Sequence, residues 1–346
     1  MLDLAGLPHP IIQAPMAGGP STPELAAAVS DAGGLGLLAA GYLAPEALAE
    51  RIRTLRGLTE APFGVNLFVP ERHRTDPAQL AEYSRVLQPW RTRWRVQAPA
   101  ELPGYSDDRW QAKLELLLAD PVPAVSFTFG LPGPEALARL RGVGTWTALT
   151  VTSAAEAGRA AALEPDALIV QCHRAGGHRG TLAADAPLGQ EELPELLRAV
   201  RRVTDLPLIG AGGIGTAEHV RAALEAGAAA TQIGTLFAAA AEAGTGPVHR
   251  DALLRAAADA AAGRPPETAV TRAFSGRPAR ALANRFTREL ADHEITGYPE
   301  VNDLTAPLRA AARRAGDPEA VNLWAGTGVG WVRSAPAREI LARLIA

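Results

Sequence analysis

Eight short segments that are apolar almost without a break constrain this chain more than any other feature. They are Ile11–Ala14, Gly36–Ala39, Phe63–Leu67, Ala124–Phe127, Thr145–Leu149, Ala167–Gln171, Leu208–Gly210 and Thr231–Ile233. Strands that are hydrophobic on both faces belong in a parallel sheet covered by helices on its open sides. Helix-like stretches do separate them. Thr22–Asp31 carries Thr22 as N-cap and Pro23 at its first position, and Pro45–Leu55 is a second stretch. Ser153–Leu163 enters through Thr152 or Ser153, and Thr216–Ala226 is capped by Thr216 and stops near Gly227. Alternation of strand and helix repeated eight times points to a closed (β/α)8 TIM barrel, an α/β fold, rather than an open sheet.

Two regions leave the repeat. Pro70–Leu118 is rich in Arg and Trp and helical in pattern, and Ala238–Thr305 follows the last strand and is also largely helical. The expected organisation is a barrel of residues 1–69 and 119–237, rejoined by 306–346, with 70–118 and 238–305 forming a second, mainly helical lobe over one end. The lobe stretch Pro89–Arg95, with its Trp and Arg residues, reads as an amphipathic helix rather than a base-stacking element.

Composition closes off several function classes. Aromatic residues are 5% of the chain and hydrophobic ones 47%, so the core must be mostly Ala, Leu and Val. A formal charge of −3 gives no general attraction to nucleic acid or an anionic membrane surface. No apolar run reaches the roughly 20 residues of a membrane helix. A single cysteine, Cys172, excludes a disulfide within the chain, and no leader pattern opens the sequence. A soluble cytoplasmic protein, monomer or homodimer, is expected. The histidines lack zinc-ligand spacing, so no metal is expected.

Barrel enzymes build their sites at the C-terminal ends of the strands. Unusual residues gather at five such ends: Gln13 and Met16 after the first, Asn66 at the third, Gln171 at the sixth, Gly212 and Gly213 after the seventh, and Gln232, Gly234 and Thr235 at the eighth. The turn Gly210–Gly215 leads into a capped helix, where bare backbone and free N–H groups suit a phosphate. It also matches the dinucleotide fingerprint G-x-G-x-x-G. It sits at the seventh strand, however, with no acidic residue closing the next, so a barrel phosphate site is the better reading. Gln171 leads into Cys172-His173-Arg174-Ala175-Gly176-Gly177-His178. The two glycines let backbone approach a flat ligand and aim the imidazole of His178, a residue type suited to proton transfer or to holding an anion. His173 either lines the site or faces solvent, and Cys172 reads as a buried thiol rather than a nucleophile.

At these residues the sequence resembles the nitronate monooxygenase family, formerly 2-nitropropane dioxygenases. The resemblance runs through Pro10–Gly19, Phe63–Phe68, Gln171–His178, Gly210–Gly215, Gln232–Thr235, Tyr298-Pro299 and Leu323–Gly328. It implies an FMN-binding barrel. Flavin contacts are implied at Asn66, Gln171, Gly176, Gly177, Gly212, Gly213 and Gln232-Ile233-Gly234-Thr235, with Gln13, Ala14 and Met16 beside the ring system. His178 matches the family's catalytic histidine, and Tyr298 and Trp324 are implied substrate contacts. Where the family reads Gln-Gly-x-Glu-Ala-Gly-Gly-His, this chain has Cys172 and Arg174 at the second and fourth positions. The acid-to-base exchange at 174 predicts a change in pocket polarity or substrate preference.

The implied activity is oxidation of an alkyl nitronate such as propionate 3-nitronate, or of a nitroalkane, by FMN and O2 to a carbonyl compound and nitrite, without NAD(P)H. An FMN-dependent enoyl-acyl-carrier-protein or polyketide enoyl reductase shares the Ala-Gly-Gly-His element and uses NAD(P)H on a thioester. A flavin-binding protein without turnover is a third reading, opposed by the intact His178.

Overall fold

The computed structural model describes residues 2–71 and 75–346. Met1, within the expected barrel, and residues 72–74, at the start of the expected lobe, lie outside the described residues.

Eight of the eleven strands among the described residues fall on the expected apolar runs. The eleven are β1 (Ile11–Gln13), β2 (Gly36–Ala39), β3 (Phe63–Phe68), β4 (Ala124–Thr128), β5 (Trp146–Val151), β6 (Ala167–Gln171), the two-residue β7 (Gly177–His178), β8 (Leu208–Ala211), β9 (Ala230–Ile233), β10 (Thr268–Thr271) and β11 (Ala279–Leu282). The helices are α1 (Pro23–Asp31), α2 (Pro45–Leu58), α3 (Pro77–Val86), α4 (Gln88–Trp94), α5 (Trp110–Ala119), α6 (Pro134–Gly142), α7 (Ala154–Ala161), α8 (Leu193–Arg201), α9 (Ala217–Glu225), α10 (Pro247–Ala261), α11 (Arg285–Glu289), α12 (Glu300–Arg314) and α13 (Ala337–Leu344).

Eight strands run parallel in the order β1-β9-β8-β6-β5-β4-β3-β2. Leu35 closes the seam: Gln13 N donates to Leu35 O at 2.9 Å, and Leu35 N donates to Ile11 O at 3.0 Å. The result is the (β/α)8 barrel. Side chains alternate along each strand. Ile12, Leu37, Ala124, Trp146, Ala148, Ala167, Ile169 and Ile209 form one apolar cluster, stoppered by Leu4. Their neighbours, including Val65, Val125, Leu149, Leu168, Val170 and Leu208, belong to a second cluster with the helices. Both faces of the sheet are therefore apolar, which is why the strands read as unbroken hydrophobic runs. The predicted caps form: Thr22, Ser153 and Thr216 accept from Leu25 N, Glu156 N and His219 N.

The chain beyond the barrel is mainly helical but contains a small antiparallel sheet, β10-β11-β7, which period counting did not anticipate. Its β7 comes from the loop after β6, so it joins the barrel to the lobe. Trp110–Ala119, expected in the lobe, packs instead against α2, α6 and β3 in the outer ring of the barrel. The C-terminal helix α13 packs against α1 and α9, whereas α12 packs against α3 and α4. In the lobe core Trp90 is buried, stacks on Trp94 at 5.5 Å and meets Phe286 edge-on at 4.9 Å. Arg277 is fully buried, and its Nη1 pairs with Glu71 Oε2 at 2.7 Å, tying the segment after β3 to the lobe. Removing one member of such a pair typically costs about 3–5 kcal/mol.

Gly36 shows how tightly sheet and helix meet. A Cβ there would lie 2.0 Å from Ala26 O and 2.5 Å from Ala26 Cα, both backbone atoms of α1. Gly36→Ala should therefore destabilise the protein by about 2 kcal/mol or more through overpacking. Gly142→Ala, at the end of α6 with nothing within 4 Å of the new Cβ, should be neutral or stabilising by up to about 1 kcal/mol. Denaturant midpoints of the two variants against the parent check both.

Candidate active site

The same alternation that fills the barrel places polar side chains inward at its C-terminal mouth. Asn66, Thr128, Thr150, Gln171 and Gln232 all line a cavity of about 720 Å3 there, within the ordinary range for ligand sites. Asn66 Nδ2 donates to Ser126 Oγ at 3.0 Å and Thr128 Oγ1 at 3.1 Å. Its carbonyl oxygen has no partner among the described residues. Gln232 Oε1 is buried and likewise unpartnered among them, although a buried acceptor normally finds a donor. It marks a place where a ligand donor belongs.

The turn after β8 is a bare cradle. Gly212 and Gly213 hold φ of +110° and +75°, a left-handed conformation that favours glycine. Gly234 at the end of β9 presents further open backbone, with Ala14 and Met16 the nearest atoms to an added Cβ. Together with Thr235 these residues suit a phosphate at the mouth of the barrel.

His178 sits in β7. Its pairing with Ala279, and that of Gly177 with Arg280, fixes the backbone. Gln171 clamps the same stretch: Nε2 donates to His178 O at 3.1 Å, and Gly180 N donates to Oε1 at 2.8 Å. Gln171 lines the cavity, but both ends of its amide are spent on positioning His178. The ring nitrogen Nε2 lies 2.8 Å from Ser275 Oγ. Ser275 Oγ also reaches Arg277 O at 3.2 Å; with its one proton spent on that carbonyl, the imidazole donates through Nε2 and keeps its lone pair on Nδ1. This tautomer is assigned from the hydrogen-bond pattern.

Aromatic rings enclose the imidazole. Phe129 stands 5.6 Å away edge-on, Tyr298 5.9 Å and Trp324 5.3 Å. Phe129 follows β4 with φ of +79°, a costly conformation for a bulky residue. The strain aims its ring at His178, and the Arg277 guanidinium backs the other side at 4.2 Å. Trp324 is held by its backbone. Leu282 N donates to Leu323 O, Ala325 N to Arg280 O, and His249 Nε2 lies 2.9 Å from Trp324 O. The segment thus extends the line of β7 along β11. Gly176 is required at the junction, because a Cβ would fall 2.4 Å from Gly326 N.

The structure brings together Ala14, Met16, Asn66, Gln171, Gly176, Gly177, His178, Gly212, Gly213, Gln232, Ile233, Gly234, Thr235 and Trp324 around one cavity. Gln13 and Tyr298 stand outside this lining. Gln13 is fully buried in the β1–β2 seam, bonded to Ser21 Oγ and Leu37 N, and does not line the cavity. Tyr298 lines a neighbouring cavity of about 370 Å3. Its hydroxyl donates to Tyr42 Oη at 3.3 Å, so it forms a partition beside His178. Arg174 is not among the lining residues either: its guanidinium pairs bidentately with Glu192 at 2.6 Å, and its stem passes 3.0 Å from where a Cβ on Gly213 would stand. Cys172 is buried beneath the glycine turn, with burial raising its thiol pKa, and His173 bonds Glu191 O outside the cavity. Sequence reasoning missed Tyr42, Phe129, Ser275 and Arg309. No period or motif marks them, since each reaches the site from a loop or the lobe.

A profile of the family described as Nitronate monooxygenase matches residues 1–346. A probable nitronate monooxygenase of Staphylococcus aureus (strain Newman) is 32% identical over 350 residues, covering 100% of this chain and 96% of its own. The chain belongs to the nitronate monooxygenase family. Among solved structures, nitroalkane oxidase from Streptomyces ansochromogenes superposes with a TM-score of 0.90 at 43% identity, covering 99% of this chain and 96% of that one. FabK from Thermotoga maritima superposes at 0.72 with 29% identity, covering 99% and 93%. As a member of the nitronate monooxygenase family this protein is an oxidoreductase. No helix among the described residues is long and apolar enough to cross a membrane.

Electrostatics at the site are set by burial. Desolvation, then the charges of Arg277 and Arg309, lower the His178 pKa to about 3. Desolvation lowers that of His249 to about 4. Both rings titrate near 6.5 when unfolded, so the unfolded chain takes up protons first as pH falls. Stability is then full above about pH 6.5 and declines toward pH 4, by up to about 1.4 kcal/mol per pH unit for each ring. His249→Gln, which retains a donor for Trp324 O, should lose about 1–2 kcal/mol less than the parent between pH 7 and 5. Denaturant titrations at the two pH values check this, and equal losses would mean that the imidazole titrates normally.

Proposed function

We propose that this protein is an FMN-dependent nitronate monooxygenase that converts alkyl nitronates or nitroalkanes with O2 to a carbonyl compound and nitrite. The observation that carries the reading is a neutral imidazole, fixed by Ser275 and walled by aromatic rings, over a cavity whose far side is a glycine cradle. The residues present fit FMN. The Gly212-Gly213 turn and Gly234-Thr235 would take its phosphate. The orphan Gln232 Oε1 and the free Asn66 oxygen offer acceptors to ring N–H or ribityl hydroxyl donors, and Ala14 and Met16 offer apolar contact. When bound, FMN supplies the passage of electrons from nitronate to oxygen.

The chain's own part is proton transfer and enclosure. His178 stays unprotonated at neutral pH, so its Nδ1 lone pair is available to take the α-proton of a nitroalkane. Ser275 holds the tautomer that leaves Nδ1 free. Phe129, Tyr298 and Trp324 exclude water around the ring. A nitronate has already lost that proton and needs only to be held.

His178→Gln should therefore lower kcat/KM for a neutral nitroalkane by about 100-fold or more, and affect the corresponding nitronate less. Ser275→Ala should lower the nitroalkane value about 10-fold, with less effect on the nitronate. Oxygen uptake with paired nitroalkane and nitronate substrates measures both, and unchanged nitroalkane turnover in His178→Gln would remove the assigned role. The enoyl reductase reading shares the fold, as the enoyl reductase domain of MlnA from Bacillus amyloliquefaciens shows at 13% identity. Rapid anaerobic bleaching of the bound flavin by NADPH, with none by a nitronate, would favour it.

A further inference from the structure

The cavity wall also carries charge that the proton-transfer step does not use. Its charged lining residues are Arg309, Arg313 and Arg314 against the single carboxylate Asp303. Arg309 is 8% exposed. It belongs to α12, and its side chain runs back toward the helix N-terminus as helical side chains do. There Nε donates to Thr305 Oγ1 at 3.1 Å, and Nη2 donates to Asn302 O at 2.6 Å and to Asn302 Oδ1 at 2.8 Å. Three bonds fix the guanidinium plane. Nη1, with two N–H donors, has no partner among the described residues. A buried cation left with free donors is costly unless an anion completes it.

The surroundings say where that anion belongs. Arg309 is close enough to His178 to depress its basicity, and its other electrostatic neighbours are Tyr42, Arg313, Asp303 and Tyr298. Tyr298 lies beside the His178 ring, Tyr42 follows β2, and Asp303 and Arg313 share α12 with Arg309. The glycine cradle follows β8 and β9, three and two places round the barrel from β2. Arg309 itself stays protonated at neutral pH, with burial lowering it only to about 10.

We propose that Arg309 is the anion-holding residue of this site, receiving on Nη1 a planar two-oxygen anion of the substrate. The inference rests on the proposed function and deepens it. His178 is uncharged, so it handles the proton and cannot balance an anion. Arg309 balances the negative charge of a nitronate, whether the nitronate arrives as such or forms when His178 takes the proton. A guanidinium suits that group because it stays charged at neutral pH and Nη1 offers two N–H donors to the anion's oxygens. Arg313 and Arg314, one turn along α12, place further positive charge in the cavity wall.

The test uses the purified protein with whatever flavin it carries, and calorimetric titration with sodium propionate, a planar anion of similar size, against uncharged propionamide. Propionate should bind at least 10-fold more tightly than propionamide. Arg309→Gln should weaken propionate at least 10-fold, leaving propionamide binding and flavin content as in the parent, and Arg309→Lys should recover part of the loss. Equal binding of the two ligands by the parent overturns the proposal. So does unchanged propionate affinity in Arg309→Gln, or loss of flavin from that variant in place of anion affinity. Should Arg309→Gln not fold, the parent's ligand ratio and Arg309→Lys still decide. No turnover is needed. A protein that bound propionate through Arg309 yet left nitronates untouched would overturn the proposed function alone, and active enzyme indifferent to propionate would overturn this inference alone.

Discussion

The pairing of Gly177–His178 with Ala279–Arg280 joins the loop that carries the imidazole to the lobe through backbone hydrogen bonds. Two residues are too few to hold a strand by themselves, so the arrangement depends on what surrounds them. Gln171, at the end of β6, bonds the backbone at His178 and just beyond it at Gly180. Arg179 N donates to Pro278 O at 2.7 Å and continues the ladder. The segment around Trp324 abuts Gly176 and runs on along β11. A histidine on an ordinary barrel loop would be mobile; here it is part of a sheet. Precise placement of a proton-transfer group is worth more than its mere presence.

Behind this sheet lies a set of buried charges that hydrophobic packing alone would not choose. Arg277 satisfies its guanidinium on Glu71, Thr181 and the carbonyl of Arg179, and its flat face supports Phe129. Charge is expensive to bury, and pairing offsets the cost without gaining much stability. What the network contributes is geometry. It joins the segment after β3, the loop after β7 and the turn before β11 at one place, and it puts positive charge near an imidazole that must stay neutral. Phe129 in its left-handed conformation belongs to the same economy of position over stability.

Much of this was legible in the sequence where local chemistry has a period or a signature. Eight apolar runs announced the strands because both faces of a barrel sheet are buried. Thr22, Ser153 and Thr216 announced helix starts because a hydroxyl must satisfy orphan N–H groups. The glycines at 212 and 213 announced a turn because only glycine takes those angles cheaply. The family likeness around Gln171–His178 named the site. Other roles were misjudged for an equally physical reason. Gln13 stands at a strand end like Asn66, but it is spent on the barrel seam, and nothing in a sequence says which neighbour a side chain will find. Arg174 replaces an acid in the motif, yet its guanidinium is taken up by Glu192 outside the cavity lining.

The sequence by itself determined the barrel strands, the helix starts at Thr22, Ser153 and Thr216, the glycine turns and the identity of the imidazole. Each is set within a few residues, by alternation, by a cap or by a forbidden angle. Only the tertiary structure decided that Ser275 holds Nε2, that Phe129 and Trp324 close on the ring, and that Arg309 offers a free donor to the same cavity. Those residues are about 50 to 150 positions from His178 along the chain. Their meeting depends on how a small antiparallel sheet and one helix of the lobe lie over the mouth of the barrel, and long-range packing of that kind leaves no local pattern to read.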